Sequence, residues 1–278
     1  MREKHITLTD PGEATAGRWQ GLRFGSESCP HLLPPPEAME RIRGESAGRA
    51  LALVTPVCGP GESEDVAALA DRALELEWDE VVVNDWGILS GLSPRWKGRL
   101  SAGRCLVGLR RGPGLGDPWA ELDDESRRYF AWGPLYDSAL LELFSERGIV
   151  RLEVDPPRHW FPLPDMNAFR ISFHGDFRLV SLSARCPWLY EGSADRWADP
   201  DPRRRGCLES GPVLMFSGYL TRPLIHRGRE ILEEASDAWS EEDLADGVDR
   251  IIYSNLDISG TGSAYNTDEP ESGFRDPE

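Results

Sequence analysis

The chain has 278 residues, 40% hydrophobic and 28% charged, enough apolar material for one large domain with a sizeable core. Its 31 basic side chains stand against 48 acidic ones, a formal charge of −17 with a pI near 4.8. That balance argues against a nucleic-acid surface as the main function, because phosphate binding needs clustered cations.

No run approaches the ~18 apolar residues of a membrane helix, so no membrane span is expected. The opening M-R-E-K-H-I-T-L-T-D-P lacks the apolar core of a secretory signal. The expected setting is therefore cytoplasmic, where cysteines stay reduced. Five cysteines, Cys29, Cys58, Cys105, Cys186 and Cys207, are an odd count without a C-x-x-C pair, which speaks against a disulfide framework or a zinc ribbon.

Residues 1–17 are polar without a period and read as an N-terminal arm. Leu22–Ser26 is the first strand-like run, stopping before Pro34-Pro35-Pro36. Ala50–Thr55 is the next, ended by Pro56 and the turn at Gly59-Pro60-Gly61. Glu64–Leu76 spaces Val66, Leu69, Ala70, Ala73 and Leu74 as one apolar helix face. Glu80–Val83 is a buried strand running into Asn84-Asp85-Trp86-Gly87. Arg104–Leu109 reads as a strand, and Ser138–Arg147 as a helix closed by Gly148. Val150–Val154, Phe169–Phe173 and Phe177–Ser183 read as strands, Ile225–Ala235 as a helix, and Arg250–Tyr253 as a last strand. From 257 to 278 the chain has almost nothing to bury, the composition of a short disordered acidic tail.

Strands alternating with helices predict a parallel sheet with crossover connections. About eight strand-like runs in residues 18–256 suit an α/β (β/α)8 TIM-barrel-like single domain, with a doubly wound open sheet as the alternative. No G-x-G-x-x-G follows a strand, and no phosphate loop, H-E-x-x-H or G-x-S-x-G occurs.

In a barrel, function gathers at the C-terminal strand ends. Those ends place Ser26, Glu27 and Cys29 after the first run, Thr55 and Cys58 after the second, and Asn84 and Asp85 after the third. Glu153 and Asp155, two apart on one strand, face the same side as a weak acid/base pair, and His174 and Asp176 follow the next strand. Asn84, Asp85 and Glu153 are expected to line the pocket. Cys186 in S-A-R-C-P-W and Cys207 in R-R-R-G-C follow an apolar strand and can ligate a metal if further ligands arrive from elsewhere. Free cysteine is otherwise an ordinary buried apolar residue.

The ordered segments F-G-S-E-S-C-P-H-L-L-P, L-V-T-P, V-V-V-N-D-W-G-I-L, G-R-C-L-V-G-L-R-R-G-P, V-R-L-E-V-D and S-L-S-A-R-C-P resemble the peptidase U-32 (collagenase-like) family. The resemblance runs from Phe24 to Ser254 and is strongest to the branch of the ubiquinone-biosynthesis accessory protein UbiV. It implies a barrel-like α/β fold and, in many members, a 4Fe–4S cluster on four cysteines. The matching positions are Cys29, Cys186 and Cys207. The family offers another cysteine about four residues past the last, where this chain has C-L-E-S-G-P with Ser210 and Gly211. The fourth ligand is then Cys58, a non-cysteine group, or missing. The implied role is oxygen-independent hydroxylation or a related redox modification of a small molecule beside a second U-32 subunit. The alternatives are a collagenase-like peptidase and a non-catalytic scaffold that has lost the cluster.

Overall fold

The computed structural model describes residues 2–8, 19–59, 61–96, 99–108, 118–166, 168–183, 186, 211–217, 220, 222–235, 239–245, 247–256 and 264–266. Strands β1 (Glu3–Leu8), β2 (Gly21–Gly25), β3 (Ala50–Val54), β4 (Glu80–Val83), β5 (Leu100–Ala102), β6 (Ile149–Val154) and β7 (Arg170–His174) follow one another around a barrel. Strands β8 (Phe177–Leu182), β9 (Val213–Phe216), β10 (Leu224–Arg227) and β11 (Glu230–Glu234) then leave it to build a separate sheet. The chain returns as β12 (Val248–Ser254), which pairs in parallel with β7 and β1 and closes an eight-stranded parallel barrel. Strand β13 (Ala264–Asn266) lies parallel to β9 at the edge of the second sheet.

Helices α1 (Pro36–Glu45), α2 (Ser63–Glu75), α3 (Trp86–Leu92), α4 (Arg104–Val107), α5 (Asp124–Trp132) and α6 (Ser138–Glu146) occupy the crossovers from β2 to β6. Helix α2 forms where the apolar spacing predicts it. Val66, Ala70 and Ala73 are buried, and Leu69 and Leu74 pack against the same cluster. Alternation along each strand sorts side chains between two environments. Leu51, Leu53, Val81 and Val83 join the helices and the fully buried Trp78, Trp96 and Trp132 in the main core, while Ala52, Val54 and Val82 form a separate small cluster inside the barrel. Each fully buried large apolar side chain stabilises the fold by roughly 1.5–3 kcal/mol.

Apart from these and Ile252 on β12, the described lumen side chains are polar. Arg250 on β12 donates across the lumen to Glu80 on β4 at 2.5 Å, and Ser101 donates to the other Glu80 oxygen. Burial alone would raise the Glu80 carboxyl, but Arg250, Arg151 and Arg23 hold it below its usual value. Arg151 on β6 bonds Ser172 at 3.1 Å and forks onto Asp249. The α/β barrel expected from the alternation is thus present, but its filling is ionic where branched apolar layers are usual.

Three local readings need correction. The segment taken as an N-terminal arm contains β1, whose inward residues are polar, so the six-residue strand E-K-H-I-T-L shows little apolar signal. Arg104–Leu109 was expected to be a strand; residues 104–107 are helix α4, entered from Gly103 and ended by Gly108 at φ 68, and Leu109 lies outside the described residues. Ile225–Ala235 was expected to be a helix but is the β10–β11 hairpin. Gly228 at φ 59 begins its two-residue turn, where glycine meets no Cβ penalty. Within 257–278, residues 264–266 pair as β13, and the rest lies outside the described residues. Among the described residues no helix is long and apolar enough to cross a membrane.

Candidate functional site

The C-terminal mouth of the barrel collects one connected set of buried polar groups. Past the end of β2, Ser26 Oγ accepts the backbone N–H groups of Ser28 and Cys29 at 3.2 Å each, a turn that carries the Glu27 side chain between them. Glu27 Oε2 accepts from Arg104 Nε at 2.6 Å. Arg104 opens α4 after β5 and uses its planar fork further, donating to Asp155 Oδ1 at 2.7 Å and to the Phe177 carbonyl at 2.9 Å. Asp155 also accepts from Leu179 N–H at 3.2 Å. Burial works against the Arg104 charge, but Asp155 and Glu27 together keep it protonated well above its ordinary range.

One layer deeper, Arg23 on β2 grips both oxygens of Glu153 on β6, at 2.5 and 2.9 Å. His174 at the end of β7 brings Nε2 to 3.3 Å from Glu153 Oε2 and 3.7 Å from Glu27 Oε1. Glu153 is completely buried; burial alone would raise its carboxyl, yet Arg23 and His174 hold it far below the carboxylate range. One atom stands out. Glu27 Oε1 is buried and finds no hydrogen-bond partner among the described residues.

The second sheet covers part of this mouth. Glu230 on β11 accepts from Ser28 Oγ at 2.8 Å and Ser26 Oγ at 3.3 Å, and is paired with Arg227 at 2.8 Å. Despite full burial, Arg227 keeps the Glu230 carboxyl below its ordinary value. Among the described residues, Glu27, Glu153 and His174 are a group whose ligand atoms all lie within 4.8 Å of one another, with every member buried.

The sequence matches no family model and no curated protein. Among solved structures the chain is similar to the U32 peptidase Mk0906. The identity is 13%, with 92% of this chain and 94% of that chain covered, at a TM-score of 0.44.

Of the residues singled out in the sequence, Glu27, Glu153, Asp155 and His174 meet at the mouth as the strand-end argument expects. Glu153 and Asp155 do not form a pair, since each is tied to a different arginine. Asn84 and Asp85 have structural work instead. Asn84 donates to the Thr55 carbonyl at 3.0 Å and accepts from Cys105 N–H at 3.2 Å. Asp85 caps α3, accepting from Gly87 and Ile88 N–H at 2.7 and 3.1 Å. Asp85→Ala is expected to cost about 1 kcal/mol in urea unfolding; a loss below a few tenths would show that the cap contributes nothing.

The cysteines are spread over several elements. Cys29 is buried in the turn after Glu27, and Cys186 is buried beyond β8. Cys58 is half-buried after β3, and Cys207 lies outside the described residues. A cluster ligand must give up its thiol proton. Burial, with Asp85 and Glu62 nearby, pushes the Cys58 thiol up to about 12. Burial and then Glu27 also raise the thiol of Cys105, on α4, well above its ordinary value.

Residue-by-residue reading missed Arg23, Arg104 and Glu230. Arg23 sits inside G-L-R-F-G and Arg104 begins an apolar tetrapeptide, R-C-L-V; an arginine within an apolar run is the one signal that marked them.

Proposed function

We propose that the protein is a catalyst of the U-32 type that acts on a small polar molecule at the barrel mouth, with Glu27 and His174 touching the reacting centre. The observation that carries this is Glu27 Oε1, buried without a hydrogen-bond partner among the described residues and facing His174 Nε2 at 3.7 Å. A buried carboxylate oxygen without a donor is costly, and the neighbouring groups already have partners. A ligand that brings a donor or a positive centre satisfies it. The U-32 part of the reading is supported by the ordered sequence segments from Phe24 to Ser254.

The test is a thermal-shift screen of hydroxy acids, amino acids, amides and sugars against the wild type and the Glu27→Gln and His174→Gln variants, with and without chelator. Stabilisation by at least one compound, lost in both variants, is the expected result. If no compound depends on Glu27 or His174 under either condition, the mouth is not the reacting centre.

A finer reading is an iron–sulfur protein of oxygen-independent hydroxylation, working with a second U-32 subunit. Cys29 supports it, being buried two residues after Glu27 in the same turn. Anaerobically purified protein is then expected to carry iron and acid-labile sulfide, and Cys29→Ser, Cys186→Ser and Cys207→Ser should each remove them. Absence of both from folded protein would end that reading and leave the mouth reading standing.

A further inference from the structure

We infer that Glu27, Glu153 and His174 form a binding site for one divalent transition-metal ion inside the barrel mouth, made of two carboxylates and one imidazole and no cysteine. This inference rests on the reading of the mouth as the reacting centre and names what Glu27 Oε1 meets there.

The geometry is close to what such an ion requires. With bonds of about 2.0–2.2 Å, neighbouring ligand atoms on one ion lie roughly 3–3.4 Å apart. His174 Nε2 stands 3.3 Å from Glu153 Oε2 and 3.7 Å from Glu27 Oε1, and all three residues have ligand atoms within 4.8 Å of one another. The three come from the ends of β2, β6 and β7, so the barrel itself fixes their spacing.

The second observation is independent of the cluster count. Glu27 is 6% exposed, and its Oε1 has no hydrogen-bond partner among the described residues, although Oε2 is firmly held by Arg104. Arg104 thus fixes the carboxylate with one oxygen engaged and turns the other towards His174. An uncharged donor would suffice for the lone oxygen alone. Two carboxylates converging on the same imidazole nitrogen also suit a positive centre shared by all three.

The arginines do not occupy the site. Each carboxylate oxygen has two acceptor positions, so Glu153 Oε2, at 2.9 Å from Arg23 Nη2, can offer a metal the position that faces His174 Nε2 at 3.3 Å. They also act as the outer groups that orient metal-binding side chains. Charge permits a cation: Glu27, Glu153, Asp155 and Glu230 outnumber Arg23, Arg104 and Arg227 by one. Mixed carboxylate and imidazole donors without sulfur suit Mn²⁺, Fe²⁺ or Zn²⁺ better than a soft metal. A three-residue site leaves positions for water or substrate, as catalytic sites do.

The test uses the full chain, stripped with chelator and titrated separately with Mn²⁺, Zn²⁺ and Co²⁺ by calorimetry. One ion per chain is expected, with affinity falling at least tenfold in Glu27→Gln and in His174→Gln and unchanged in the exposed control Glu142→Gln. The Co²⁺ form of the wild type should show ligand-field bands without a thiolate charge-transfer band, a readout that needs no variant to fold. Absent binding, binding indifferent to Glu27 and His174, or a thiolate band would each overturn the site. The two proposals part cleanly in the small-molecule screen. Compounds that bind through Glu27 in chelator-treated protein that takes up no metal would sink the metal site and keep the reacting centre.

Discussion

Replacing Arg104 with methionine is expected to lower the unfolding free energy by about 3–5 kcal/mol, the range for removing one partner from a buried ion pair. The arginine is 7% exposed, and three acceptors depend on it: Glu27 Oε2, Asp155 Oδ1 and the Phe177 carbonyl. Methionine fills similar volume, so lost packing contributes little. The cost arises because two carboxylates remain in the interior without a compensating charge. For a chain of this size the midpoint should drop by roughly 10 °C, at about 2–4 °C per kcal/mol. Arg104→Lys should recover only part of the loss, because an ammonium is a compact charge and cannot span Glu27 and Asp155 as the guanidinium fork does. Urea and thermal unfolding of the three proteins decide the matter. A methionine variant within 1 kcal/mol of wild type would mean that Glu27 and Asp155 find other partners, and the ionic description of the mouth would be wrong.

The same arginine shows what the sequence could and could not reveal. Strands β3, β4, β6 and β7 were legible because their outward residues pack against helices and their inward ones are small or interrupted by single charges. Glu80-Val81-Val82-Val83 is the plainest case. Strand β1 was not legible, since it carries His5 and Thr7 into a polar lumen where an apolar signal would have no place. The β10–β11 hairpin was hidden for a different reason. I-H-R-G-R-E-I-L-E-E-A has apolar residues at a spacing that also fits a helix, and only Gly228 marks the reversal.

At the site, the strand-end rule named Glu27, Glu153 and His174 but not their convergence. Which carboxylate meets which cation is set by the barrel's closure, through contacts such as Arg23 to Glu153 across 130 residues of chain. No local pattern encodes that distance.

Among the described residues, the buried carboxylates of the lumen are met by arginines. Arginines reach across the barrel from β2, β6 and β12 to acids on β4 and β6 and to Asp249. Such pairs add little net stability compared with apolar packing. Their effect here is to hold the mouth's side chains in fixed positions, with Arg23 and Arg104 each locking one member of the Glu27–Glu153–His174 group. Stability comes mainly from the outer barrel–helix layer, while the inner surface is given over to orientation of charge.

The lower end of that lumen sets the protein's acid limit, and the expected result is a loss of about 2–3 kcal/mol between pH 6.5 and 4.5. His5 on β1 is 1% exposed, its Nδ1 has no hydrogen-bond partner among the described residues, and a Cβ on Gly21 would come within 2.1–2.5 Å of its ring atoms. Burial, then Arg250, Arg23 and Arg151, lower its pKa from 6.5 to about 2. The folded ring is therefore neutral over a range in which the unfolded chain takes up a proton. Its contribution is complete above the unfolded value of about 6.5 and is lost as pH falls towards the folded one, at about 1.4 kcal/mol per pH unit. Glu80 and Glu230, whose carboxyls are held below 4.5 in the fold, start to contribute their own loss only beneath that window. His226 is also lowered by burial and acts in the same direction, so the comparison belongs in a His226→Gln background. There, His5→Gln should flatten the slope between pH 6.5 and 4.5 in urea unfolding, since a side chain that never titrates cannot distinguish the two states. An unchanged slope, or a His5 ring that titrates near 6.5 in the folded protein by NMR, would show that the lumen admits an imidazolium beside Arg250 and that the charge arrangement drawn for the barrel interior is incorrect.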